Sequence, residues 1–200
     1  MTLVAVFSSI GCVLLGYVLP LNHGITVTVI EQIQALWLLF CGIYAYKIHK
    51  KCQVLNENQA ISLWLAAIWW LLLGRSMAWG RDYFPDDVPR LYFQPLALIL
   101  VGLPIYLLCR RDTRRQMKAL WLKFRWPVWL CLATTLLFIA AQVIESERLF
   151  SLLPAGIDPD RRDLIEELFE TPFMFFLFWV NWLLYQQAFF PHKQAPLGLK

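Results

Sequence analysis

Leu164-Ile165-Glu166-Glu167-Leu168-Phe169-Glu170-Thr171-Pro172-Phe173-Met174-Phe175-Phe176-Leu177-Phe178-Trp179-Val180-Asn181-Trp182 sets three carboxylates at the head of an apolar run that continues without charge to Phe190. At about 1.5 Å per residue, a helix from Leu164 to Phe190 is longer than the roughly 30 Å hydrocarbon core of a bilayer, so it begins outside that core. Asp158-Pro159-Asp160-Arg161-Arg162-Asp163 precedes it, a helix start with Asp as cap and Pro in the first turn. Asp163, Glu167, Glu170, Met174, Leu177 and Asn181 recur at spacings of four and three and form one stripe, while Glu166 reaches Glu170 at a spacing of four. The helix macrodipole accounts for carboxylates in a first turn, such as Asp160 and Asp163. It does not account for Glu170, which lies about two turns further in, beside the Phe-rich run.

The rest of the chain is of the same kind. Its 200 residues are 59% hydrophobic and 16% charged, with a mean hydropathy of +0.53. A soluble domain is about a quarter charged and about half apolar, so the excess calls for lipid as a second solvent. The same composition excludes a disordered chain, a collagenous repeat and a nucleic-acid-binding arm. Six apolar stretches predict an all-α, polytopic integral membrane protein with six transmembrane helices in one bundle, 3–19, 26–46, 60–79, 91–109, 126–144 and 164–190. Residues 1–190 form one domain on this reading, and 191–200 a short tail; the loops are too short for a further domain.

Orientation follows from the basic residues. Lys47, Lys50 and Lys51 follow the second span, Arg110 to Arg125 contribute seven more after the fourth, and Lys193 and Lys200 lie in the tail. These are alternate loops, so the positive-inside bias places both termini in the cytoplasm of a multi-pass inner (plasma) membrane protein. Met117, Leu120, Trp121 and Phe124 interleave with the charges after span four, which predicts a topology-setting loop whose apolar residues dip into the interface, with a basic amphipathic helix on the anionic inner leaflet as the alternative. The pI of 8.9 therefore reports orientation and gives no support to nucleic-acid binding.

Several other readings lose support. No Lys or Arg precedes the first apolar run, so it predicts an uncleaved span rather than a secretory signal, and Cys12 is not expected to carry a lipid. Cys12, Cys41, Cys52, Cys109 and Cys131 lie in spans or on the cytoplasmic side without a Cys-x-x-Cys pair, which argues against disulfides and zinc ribbons. His23, His49 and His192 are too scattered to converge on one metal. Pro104 and Pro172 are not at matching positions in the two halves, as an inverted-repeat transporter would have them. Nothing points to a nucleotide or a haem. The ten Trp residues read as boundary and packing groups.

All of the 14 acidic residues except Glu57 and Asp112 belong to outer loops or outer span ends. Glu31 lies inside span two with Thr28, Gln32 and Gln34 around it, and Arg75 inside span three. If the third helix runs to Trp79, Arg75, Trp79 and Asp82 share a face. Intramembrane ionisable groups are costly and usually face the bundle interior with a partner. The expected site is therefore a polar cluster of Glu31, Arg75, Glu167 and Glu170, supported by Arg81, Glu145, Glu147 and Glu166 and open to the outer face. Arg75 would neutralise one or two carboxylates, leaving Glu167 and Glu170 to take a proton, hold a divalent cation or activate water. A simple Arg75–Glu31 clamp between spans is the structural alternative.

The inner halves of the spans carry only hydroxyls, such as Ser62, Thr134 and Thr135, with Asn181, Gln186 and Gln187 deeper in span six. A one-sided site of this kind suits a membrane-embedded enzyme, or a lipid- or cation-binding protein acting at the outer leaflet, more than a permeation route. A small proton- or cation-coupled transporter and a non-catalytic accessory subunit with a membrane-protein partner are the alternatives. No Gly-x-Ser-x-Gly or His-Glu-x-x-His signature is present.

Overall fold

The computed structural model describes residues 11, 14, 15, 18–20, 25–55, 58–79, 89–145 and 159–189. The first expected span lies mostly outside this set. Among the described residues the architecture is all-helical, 92% helical without strands, with six helices. They are α1 (Ile25–Leu55), α2 (Gln59–Ser76), α3 (Gln94–Cys109), α4 (Arg111–Lys123), α5 (Val128–Glu145) and α6 (Pro159–Phe189).

Local chemistry sets the boundaries. The apolar pattern of α1 stops at Tyr46, but the helix continues to Leu55 because Lys and Gln propagate a helix as well as most apolar residues do. Asn58 then turns left-handed at φ 49°, a conformation Asn tolerates better than most residues. A tight turn over Arg90–Tyr92 leads into α3, which has Pro95 in its first turn where a missing N–H costs nothing. Arg110, extended at φ −68° and ψ 136°, separates α3 from α4. The basic stretch expected as a loop is thus a helix of its own.

Among the described residues two helices, Ile25–Leu55 and Arg161–Gln187, are long and apolar enough to cross a membrane, while Gln94–Cys109 and Val128–Ile144 are apolar but shorter. An 18-residue helix such as α2 or α5 spans about 27 Å, just under the thickness of the hydrocarbon core. Much of the outward surface is apolar: Leu36, Leu98, Tyr106 and Leu136 are each about two-thirds exposed.

The chain divides into two compact units, residues 1–34 with 126–182, and residues 35–125 with 183–200. In the first, α5 buries Leu130, Ala133, Leu137 and Ala141 along one stripe, and α6 buries Leu164, Phe169 and Met174. Phe138 and Phe173 meet at 5.2 Å between ring centres.

In the second unit, Leu38, Cys41 and Ala45 of α1 are fully buried, and Tyr44 meets Tyr185 edge-on at 6.1 Å. Gly42 lets the Trp70 indole lie against the α1 backbone, 3.4 Å from where a Cβ would stand. At the other end of α2, a Cβ on Gly74 would come within 2.6 Å of Leu100 and 3.0 Å of the Trp79 ring. That close approach explains why α2 stops at Ser76 instead of running to Trp79 as expected. Met77 N–H closes the last turn on Leu73, and Ala78 and Trp79 then take left-handed φ of 44° and 59°. The indole folds back onto Gly74, so the expected common helical face of Arg75 and Trp79 does not form.

Candidate functional site

The site in the first unit is built from the start of α1 and the first half of α6. Pro172 lies within α6 and lacks an N–H, so one rung of the helix ladder is missing there. The turn before it is braced by side chains. Thr171 Oγ1 donates to the Glu167 carbonyl at 3.0 Å. Gln34 Nε2, on α1, donates to the same carbonyl at 2.9 Å and to Thr171 Oγ1 at 3.0 Å. Gln34 is only 3% exposed, and in apolar surroundings such donors have no substitute in water.

This brace positions the acids. Glu167 is half-buried, as are Glu166 and Glu170, while Glu31 is exposed. Glu170, Glu31 and Glu166 all stand close enough to Glu167 to act on it electrostatically, and the Gln34 amide also reaches the Glu167 side chain. Glu167 Oε2 is buried and has no hydrogen-bond partner among the described residues. A buried acceptor of this kind costs about 1–3 kcal/mol unless something occupies it. Among the described residues no group of three or more Asp, Glu, His or Cys side chains is arranged to hold a metal ion. The carboxyls therefore ring Glu167 without closing on a single coordination point.

Of the expected site residues, the structure brings together Glu31, Glu166, Glu167 and Glu170. Arg75 belongs to the second unit, where it sits exposed in the last turn of α2 and its charge suits the helix dipole. Arg81 and Glu147 lie outside the described residues, as does the side chain of Glu145. The sequence presents Gln34 only as one polar neighbour of Glu31, and Thr171 not at all as a site residue. A Thr directly before an intrahelical Pro, and an amide between Ile33 and Ala35, were the signals available.

The hydroxyls of the apolar halves are satisfied locally. Thr134 donates to the Leu130 carbonyl at 2.7 Å, Thr135 to Cys131 at 2.9 Å and Ser62 to Gln59 at 3.0 Å. Their protons are committed to their own helices and do not line a polar path. Ser62 Oγ also pairs with His49 Nδ1 at 3.0 Å, with the donor set by the imidazole tautomer. Among the described cysteines, Cys41, Cys52, Cys109 and Cys131 form no disulfide.

No family model, curated protein or solved structure matches the chain.

Proposed function

We propose that this chain is a multi-pass protein of the plasma membrane, six-span with both termini in the cytoplasm, whose Glu31–Glu167–Glu170 cluster binds a proton or a cationic group at the outer leaflet. The supporting observation is the buried, unpartnered Glu167 Oε2 at the centre of three other carboxyls. Such crowding is relieved when one carboxyl holds a proton or a cation lies between them. Gln34 and Thr171 supply the rigidity that a binding site needs.

The ligand chemistry follows from the surroundings. On α6, below the acids, Phe175, Phe176, Phe178, Trp179 and Trp182 line an apolar hollow of about 440 Å³. Aromatic faces and carboxylates together suit an amphiphile with a cationic head, such as the ammonium of a zwitterionic lipid. The apolar outward surfaces of α3 and α5 fit the lipid environment that this requires.

The test is a lipid and metal inventory of the purified protein by mass spectrometry, wild type against Glu167→Gln. Copurification of an ammonium-headed lipid with the wild type, reduced at least tenfold in the variant, supports the reading. An identical inventory in both, with a stoichiometric protein partner, favours an accessory subunit instead. Proton or cation flux into liposomes that Glu167→Gln abolishes would favour the transporter.

A further inference from the structure

A second cavity, of about 300 Å³, lies wholly within the second unit, bounded by the turn at Asn58, one face of α4 and the end of α6. Its polar lining comes from Asn58, Gln116, Lys123 and Gln187, over a floor that includes Leu120 and Phe124. The two glutamines decide its character. Gln116 Oε1 accepts the Ile61 backbone N–H at 3.0 Å, and Gln187 Oε1 accepts the Arg125 backbone N–H at 3.3 Å. With both carbonyl oxygens committed, each amide has its NH₂ left to offer, and Lys123 adds an ammonium. No described acidic residue lines the cavity.

The helix that carries Gln116 and Lys123 strengthens the same preference. Positions 111, 114, 115 and 118 place Arg111, Arg114, Arg115 and Lys118 together on the exposed side of α4, each more than one helical turn before Lys123. Among the described residues these four form no ion pair, and the acid of this helix, Asp112, is taken by Arg110 at 4.0 Å. The apolar residues expected to dip into the leaflet are divided: Phe124 is buried and Met117 and Leu120 are half-buried, while Trp121 is exposed. The protein thus covers Phe124 and part of Met117 and Leu120, and the free surface of α4 is cationic over its first two turns and ends in the exposed Trp121 and Leu122.

We propose that this cavity binds a phosphoryl group, held by Lys123 and the amide NH₂ groups of Gln116 and Gln187, with the α4 cations concentrating the anion around it. An anionic phospholipid head group or free inorganic phosphate has this chemistry. The apolar floor of Leu120 and Phe124 accommodates the first carbons of a lipid.

The full-length protein in detergent tests this by native mass spectrometry with phosphatidylglycerol or phosphatidylcholine, and by thermal shift with inorganic phosphate against chloride. Lys123→Gln changes an exposed side chain and leaves the backbone caps intact. Preferential binding of phosphatidylglycerol, weakened about tenfold by Lys123→Gln, assigns the site to a lipid. A stabilisation by inorganic phosphate that Lys123→Gln removes assigns it to the free anion. Lys118→Gln, the same charge change on the outward face, is expected to weaken either response less than about twofold. The proposal is overturned if neither ligand binds, if Lys123→Gln binds as the wild type does, or if Lys118→Gln loses as much as Lys123→Gln.

Discussion

Gln34 of α1 donates its amide to the Glu167 backbone carbonyl of α6 at 2.9 Å, across 133 residues of sequence. The bond lies in the turn that precedes Pro172, so one buried amide both ties two helices together and aims the carboxylate beside it. Replacing Gln34 by Leu keeps the volume but removes the donor from two acceptors. A loss of about 1–3 kcal/mol is expected, read as a lower unfolding temperature in detergent, with Gln34→Asn recovering little because its amide is a methylene short. An unchanged melting point in Gln34→Leu would show that the brace is not needed.

Glu167→Gln is expected to separate stability from function. It preserves shape while removing one charge from a crowded group, so stability stays level or rises by up to about 1 kcal/mol. Retention of a cationic-headed lipid falls at least tenfold in the same protein. Thermal unfolding and lipid counting on one preparation check both halves; a clear destabilisation would identify Glu167 as a structural residue.

The α2 terminus gives a paired prediction. Gly74→Val drives side-chain atoms into Leu100 and the Trp79 ring, already within 2.6 and 3.0 Å of a Cβ, and is expected to cost about 1–3 kcal/mol. Ala78→Gly acts in the opposite direction, since φ 44° is strained for Ala and ordinary for Gly; a gain of up to about 1 kcal/mol is expected. Equal effects of the two substitutions on the unfolding temperature would contradict this account of why the helix ends.

These cases show where the sequence was legible. The all-helical class, the start of α6 at Pro159 and the nearness of Glu166 and Glu170 to Glu167 follow from composition and from spacing along one helix, which survive any packing arrangement; the approach of Glu31 from α1 depends on packing. Helix ends do not. Nothing in Gly74-Arg75-Ser76-Met77-Ala78-Trp79 forbids a helix through Trp79; the stop arises because Gly74, without a Cβ, leaves room for both Leu100 of α3 and an indole folding back. Gln34 and Gln116 were equally hard to recognise, because an amide's role depends on which backbone N–H or carbonyl it meets.

His49 supplies a pH dependence. It lies past Tyr46, beyond the apolar part of α1, and is 4% exposed. Burial pushes its pKa below the ordinary histidine range; the Gln59 carbonyl opposes this, and the neighbouring Lys50 charge adds to the lowering. A folded-state pKa below the unfolded one means that the contribution to stability is fully present above about pH 6.5 and is lost as pH falls through the folded value. The wild-type unfolding temperature should therefore drop between about pH 7 and pH 5, and His49→Gln should flatten that drop. A profile of the same shape in His49→Gln would assign the dependence to other groups.

The missing N–H of Pro172 has a mechanical consequence. A helix bends most easily where its ladder lacks a rung, and in α6 that point falls between the acids and the Phe- and Trp-rich segment. Gln34 and Thr171 act as a latch across this hinge, and the latch is fastened to the backbone of Glu167 itself. A bend at Pro172 would work against these hydrogen bonds, so the tilt of the aromatic segment and the placement of the Glu167 backbone are mechanically linked.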